Sequence, residues 1–171
     1  MNQAYFSRDG MYRYWLLREL AAWGPGPIPL HFKRILWIML NPSTADCTVN
    51  DPTIKQCMAF SALWNYQIME VVNLFALRAT DPRKLRDAPD PVGEENNQWI
   101  RHAADAADLI VCAWGSYRMP RESIHRRRAE RVANLLEDYP LHCLHINADG
   151  APKHPLYIAQ DTPLQTWRLT A

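Results

Sequence analysis

The chain has 171 residues, 48% of them hydrophobic, with 7 Trp, 7 Tyr and 4 Phe, which is the size of one ordinary domain with ample material for a core. A formal net charge of +1 excludes the strongly basic footprint of a protein that coats nucleic acid. The longest apolar runs, residues 35–40 and 109–114, fall well short of the roughly 20 residues of a membrane-spanning helix.

Residues 1–8 carry charge but no apolar run followed by small residues, so they do not read as a secretory signal and a cytoplasmic location is expected. Residues 4–6 and 11–17 read as two strands joined around the turn-forming pair Asp9-Gly10. Residues 23–29, Trp-Gly-Pro-Gly-Pro-Ile-Pro, are too rich in Pro and Gly for a regular element and form a connection. Residues 34–40 are a near-continuous apolar run of the kind that fits a strand buried on both faces. Asn41-Pro42 stops it, and Asn50-Asp51-Pro52 supplies a cap and a first-turn proline for a helix running to about residue 65. Residues 68–73 read as the next buried strand, 94–106 as a helix, 108–114 as a strand, 121–137 as a helix and 141–146 as a fourth strand.

Strand alternating with helix predicts a mostly parallel central sheet with helices on both faces, an α/β fold built as a three-layer α/β/α sandwich and preceded by an N-terminal β-hairpin. A single domain is expected over residues 1–171, with 1–30 as hairpin and connection and 31–171 as the core. The cysteines Cys47, Cys57, Cys112 and Cys143 include no C-x-x-C pair, and three of them sit in apolar or helix-like surroundings where free thiols pack as small hydrophobes. His142 and His145 suggest a metal site, but alternation along a strand sends them to opposite sides; no metal is expected. Arg118, Arg121, Arg126, Arg127, Arg128 and Arg131 concentrate positive charge in one short stretch. That stretch fits phosphate contact and a solvated helix equally well.

In such sheets a ligand site lies beyond the carboxyl ends of the strands. The segments there are Asn41-Pro42-Ser43-Thr44-Ala45-Asp46, Asn73-Leu74-Phe75, Trp114-Gly115-Ser116 and, after the fourth strand, Gly150-Ala151-Pro152-Lys153-His154-Pro155-Leu156. In order and character these segments resemble those that punctuate the uracil-DNA glycosylase superfamily, over about residues 34–156. W-I-M-L-N-P-S-T-A-D is similar to the G-I-N-P-G motif of the mismatch-specific and thymine-DNA glycosylase branch, with Asn41 at the position that holds aspartate in G-Q-D-P-Y-H. V-V-N-L-F-A-L-R-A-T is similar to the strand end whose Asn reads a pyrimidine edge, which corresponds to Asn73. D-L-I-V-C-A-W-G-S-Y resembles the L-L-W-G strand end, and K-H-P-L resembles the start of the H-P-S-P-L loop, with His154 at the catalytic-histidine position. The chain is most similar to an uncharacterised bacterial and phage family marked by N-P-S-T-A-D. It departs from the superfamily in lacking the activating aspartate of the first motif and the second Ser-Pro of the last.

The resemblance implies a glycosylase-like protein acting on a modified or mismatched base in DNA, without metal or organic cofactor. Cleaving an N-glycosidic bond builds positive character on the sugar and negative charge on the departing base. His154 could donate to that developing oxyanion, and the Asn73 carboxamide could both accept from and donate to a pyrimidine edge. Asn41 could hold an attacking water, and the carboxylate of Asp46, or that of Asp51, could take its proton if it faces the pocket; Asp46 is the stronger candidate, since Asp51 beside Pro52 is more readily a helix cap. Phe75 and Trp114 could offer faces for a base. Ser43, Thr44, Arg118 and Lys153 could contact phosphate, and Leu156 or Tyr157 could act as a wedge or simply pack in its loop. The expected partner is nucleic acid, DNA foremost, or a nucleotide, and no membrane. The alternatives are a non-catalytic nucleotide- or nucleic-acid-binding module, and an enzyme of free nucleosides or nucleotides.

Overall fold

In the computed structural model, residues 2–20, 31–43, 45, 48–81, 83–116 and 124–169 are described. The N-terminal strands β1 (Gln3–Phe6) and β2 (Arg13–Glu19) pair antiparallel. Their connection turns where the sequence has its turn pair: Gly10 sits at φ 71°, and the Asp9 carboxylate accepts from Ser7 Oγ at 2.6 Å and from Met11 N at 3.0 Å.

The four apolar runs become β3 (Arg34–Met39), β4 (Ile68–Asn73), β5 (Leu109–Cys112) and β6 (Leu141–Cys143). With the two-residue β7 (Gln165–Thr166) they build one seven-stranded sheet in the order β1-β2-β4-β3-β5-β6-β7. β3 runs parallel to both β4 and β5, and β5 runs parallel to β6. The remaining ladders, β1·β2, β2·β4 and β6·β7, are antiparallel, so the sheet is mixed, with a parallel centre, rather than mostly parallel. The difference arises because the hairpin does not merely precede the core: residues 16–19 of β2 pair with residues 68–71 of β4 and extend the same sheet.

The helices are α1 (Pro52–Leu63), α2 (Lys84–Asp87), α3 (Asn96–Ala106) and α4 (Ile124–Leu135). α1 begins as its sequence dictates: Asp51 is the N-cap, its side chain accepts from Ile54 N at 2.8 Å, and Pro52 follows in the first turn. Alternate residues of β3 enter two apolar clusters, as the period of a strand requires. Leu36 and Ile38 pack with Ile100, Ala103 and Ala104 of α3 and with Ala129 and Val132 of α4. Ile35, Trp37 and Met39 pack with Ile54, Cys57 and Phe60 of α1. Cys57, Cys112 and Cys143 are buried free thiols, whereas Cys47 and the connection at 23–29 lie outside the described residues. Among the described residues no helix is long and apolar enough to cross a membrane.

Candidate functional site

The chain passes from β3 to β4 on one side and then to β5 on the other, so the sheet order reverses at β3. The loops leaving such neighbouring strands diverge and open a crevice at their carboxyl ends. A cavity of about 200 Å³ lies there. Its walls come from the ends of the parallel strands (Met39, Leu40, Asn41, Val71, Asn73 and Trp114), from the first turn of α1 (Asp51, Thr53 and Ile54) and from His154. Ser43, Ala79 and Thr80 complete that side. Arg13 also lines it, because antiparallel β2 begins at the edge where the parallel strands end. Of the predicted site residues, Asn41, Ser43, Asn73, Trp114 and His154 therefore meet at one place despite their separation along the chain.

Asn73 is the most unusual residue of the cavity. It is 1% exposed, and both its Nδ2 and its Oδ1 are buried without a hydrogen-bond partner. An unmade hydrogen bond of this kind costs about 1–3 kcal/mol, and buried amides are nearly always satisfied. The backbone behind it is held firmly instead. Asn96 Nδ2 donates to the carbonyls of Asn73 and Leu74, each at 3.0 Å, and Arg128 Nε donates to Leu74 O at 2.6 Å. Two helices thus fix the end of β4, and Asn73 stands in the cavity wall with its amide buried and unpartnered. Trp114 carries a further buried, unpartnered donor at Nε1 and meets Trp167 edge-on with ring centroids 4.9 Å apart.

His154 follows a loop that is tied to the strand ends by backbone bonds, Gly115 N to Pro152 O at 2.9 Å and Lys153 N to His145 O at 2.8 Å. Gly115 has φ 87°, a backbone conformation that favours glycine, and lies beside His154, whose Cβ would be 3.4 Å from a Cβ added there. His154 Nδ1 accepts from Leu156 N at 3.3 Å, which in a neutral ring places the proton on Nε2. Burial lowers the pKa below the ordinary histidine value, with the Asp51 carboxylate opposing, so the ring is neutral at pH 7 and presents an N–H donor. Asn41 Nδ2 donates to Ala79 O at 2.7 Å and to Pro42 O at 3.1 Å, which commits its amide nitrogen to the loop. Arg13 is buried and its Nη1 donates to Ala45 O at 2.7 Å.

Other predicted site residues lie elsewhere. Phe75 is fully buried in the cluster of α3 and α4, tilted against His125, and does not line the cavity; directly after β4 the chain turns under the helices, which takes its ring into the core. Lys153 is exposed and lies outside the cavity lining. The basic stretch is not a uniform surface. Arg128 is buried, Nη2 bonding Asn97 Oδ1 at 2.7 Å, and burial chiefly, with Arg131 adding repulsion and Asp90 opposing, lowers its pKa to about 10; Arg126 pairs with Glu130 at 3.0 Å. Leu156 is half-buried and Tyr157 is 93% exposed at φ 72°. Thr44, Asp46, Arg118 and Arg121 lie outside the described residues. Sequence reasoning does not single out Arg13, Thr53 or Thr80.

Comparison with known proteins gives one family. The family model described as "Protein of unknown function (DUF1643)" matches residues 13–156, and the chain belongs to that family. No curated protein and no solved structure matches the chain.

Proposed function

We propose that this member of the family recognises a nucleobase in the cavity at the ends of β3, β4 and β5, and hydrolyses the N-glycosidic bond of a modified or mismatched base in DNA. The observation that carries the reading is Asn73: a buried carboxamide with both polar atoms unpartnered is complementary to a ligand edge that offers one donor beside one acceptor. A pyrimidine edge is such a group. The cavity, at about 200 Å³, is smaller than the roughly 300–1,000 Å³ that drug-sized ligands occupy, and suits a small flat ring with its sugar outside.

In this reading His154 donates from Nε2 to the base oxygen on which charge collects as the bond breaks. The order of post-strand segments, similar to that of the uracil-DNA glycosylase superfamily, supports the assignment. The segregation of β3 side chains between α1 on one hand and α3 with α4 on the other supports the three-layer arrangement of that superfamily. A non-catalytic base-binding module is the second reading; it is favoured by Asn41, an amide with its nitrogen already engaged where the activating aspartate stands in relatives.

The test is release of base from oligonucleotides carrying uracil, mismatched thymine or other modified bases, followed by abasic-site cleavage, with free nucleosides in parallel. His154→Ala is expected to lower turnover by about 10²-fold or more with binding nearly intact, and Asn73→Ala to blunt discrimination between bases. Wild-type protein that binds a base in an Asn73-dependent manner, yet releases none from any substrate, would leave the binding module as the function.

A further inference from the structure

We propose that Asp51 is a catalytic carboxylate of the cavity, one oxygen capping α1 and the other accepting the proton of the attacking water. The inference rests on the hydrolase reading above and assigns the group which that reading lacks. A water that attacks C1′ must surrender a proton to a nearby acceptor. The described lining offers few. Asn41 and Asn73 are neutral amides. His154 has Nδ1 engaged by Leu156 N, and its other nitrogen is the donor side of the ring. Arg13 is a cation. Asp51 is the one carboxylate among the described residues that line the cavity.

Its geometry suits the duty. Asp51 stands in extended backbone, φ −73° and ψ 169°, with Oδ1 held by Ile54 N at 2.8 Å. The carboxylate is thereby fixed in one orientation, and the cap bond uses a single oxygen. It stands at the N-terminus of a 12-residue helix whose first turn lines the cavity with it. Asp51 and His154 line the same cavity, so acceptor and donor share one small space. In the step, the water oxygen bonds C1′ while the C1′–N bond breaks, and its electron pair passes to the base. The developing base oxyanion accepts from His154 Nε2–H, and the water proton moves to Asp51 Oδ2. The products are a C1′ hydroxyl and the base anion, which then takes up the proton.

The cap makes the test clean, because Asn caps a helix about as well as Asp. Asp51→Asn therefore removes the base and keeps the cap. It is expected to lose about 10²-fold or more in base release, with the wild-type unfolding midpoint and Asn73-dependent binding retained; Asp51→Ala is expected to lose release and also to melt lower. Base release by Asp51→Asn at the wild-type rate overturns the assignment and leaves the hydrolase reading standing, the more so if Asp46→Asn is the variant that fails. Equal loss of binding and turnover in Asp51→Asn also overturns it, by making Asp51 a binding residue. A wild-type protein that releases no base sinks the hydrolase reading, and the role of Asp51 with it.

Discussion

Replacing Asn73 by leucine offers a test in which stability and function should move in opposite directions. Leucine has nearly the shape of asparagine and no polar atoms, so the change removes two buried groups that the folded chain leaves unsatisfied. Each such group costs about 1–3 kcal/mol. Solvent entering a cavity of about 200 Å³ returns part of that cost, so a net gain of about 1–2 kcal/mol is expected, comparable to other functional-site substitutions that relieve a built-in penalty. For a chain of this length that corresponds to a rise in Tm of about 2–8 °C. Urea and thermal unfolding of Asn73→Leu beside wild type, with base release assayed on the same preparations, measures both effects. A variant less stable than wild type by about 1 kcal/mol or more would refute the reasoning, because the amide would then be making native contacts rather than awaiting a ligand.

Three further outcomes follow from the same structure. Arg128→Met deletes the donors to Leu74 O and Asn97 Oδ1 and should cost about 2–3 kcal/mol in urea unfolding; an unchanged midpoint would mean that the clamp behind Asn73 contributes nothing. Gly93→Ala should destabilise by more than about 1 kcal/mol, since Gly93 has φ 85° and an added Cβ would lie 2.9 Å from ring carbons of Tyr12 and Tyr14; thermal melting checks this. Burial holds His125 and His154 below the ordinary value of 6.5, Arg86 adding to the fall at His125 and Asp51 opposing it at His154. The unfolded chain then binds more protons than the folded one below that value, so stability present at neutral pH should be lost as pH falls through 6.5. Midpoints measured across that window should fall for wild type and fall less for the His125→Gln/His154→Gln variant; equal slopes would reject the assignment.

Much of this architecture is legible in the sequence, because the central strands are apolar on both faces and announce themselves as runs. The Asp51-Pro52 start of α1 and the turn at Gly10 are equally plain, since each rests on local chemistry. What local chemistry cannot carry is the neighbour of each strand. Residues 11–17 read as one arm of a hairpin, yet nothing in them says that β2 will pair with β4 and bring Arg13 to the cavity. β7, two exposed residues long, has no period to detect, and neither does the single turn of α2. Arg128 reads as surface because arginine is seldom buried; its burial depends on carbonyls from the end of β4, distant in sequence. Phe75 and Trp114 are equivalent as post-strand aromatics and share one core cluster, and only the folded path of the chain brings Trp114 to the cavity wall as well. Asp51 is explained as a cap by its local sequence, which ranks it below Asp46 as a candidate base although it lines the cavity.

Arg13 and His154 stand near the two limits of the span matched by the family, and they face the same small space. A ligand in that space would therefore touch groups from both ends of the span. A molecule bound there at about a hundred times its Kd would stabilise the fold by about 2.7 kcal/mol. Amide hydrogen exchange should report this as slower exchange in β2 and β6, two strands on opposite sides of the parallel centre, at the same time. Thermal-shift screening of small heterocycles then becomes a search for the natural ligand that works whatever the reaction turns out to be.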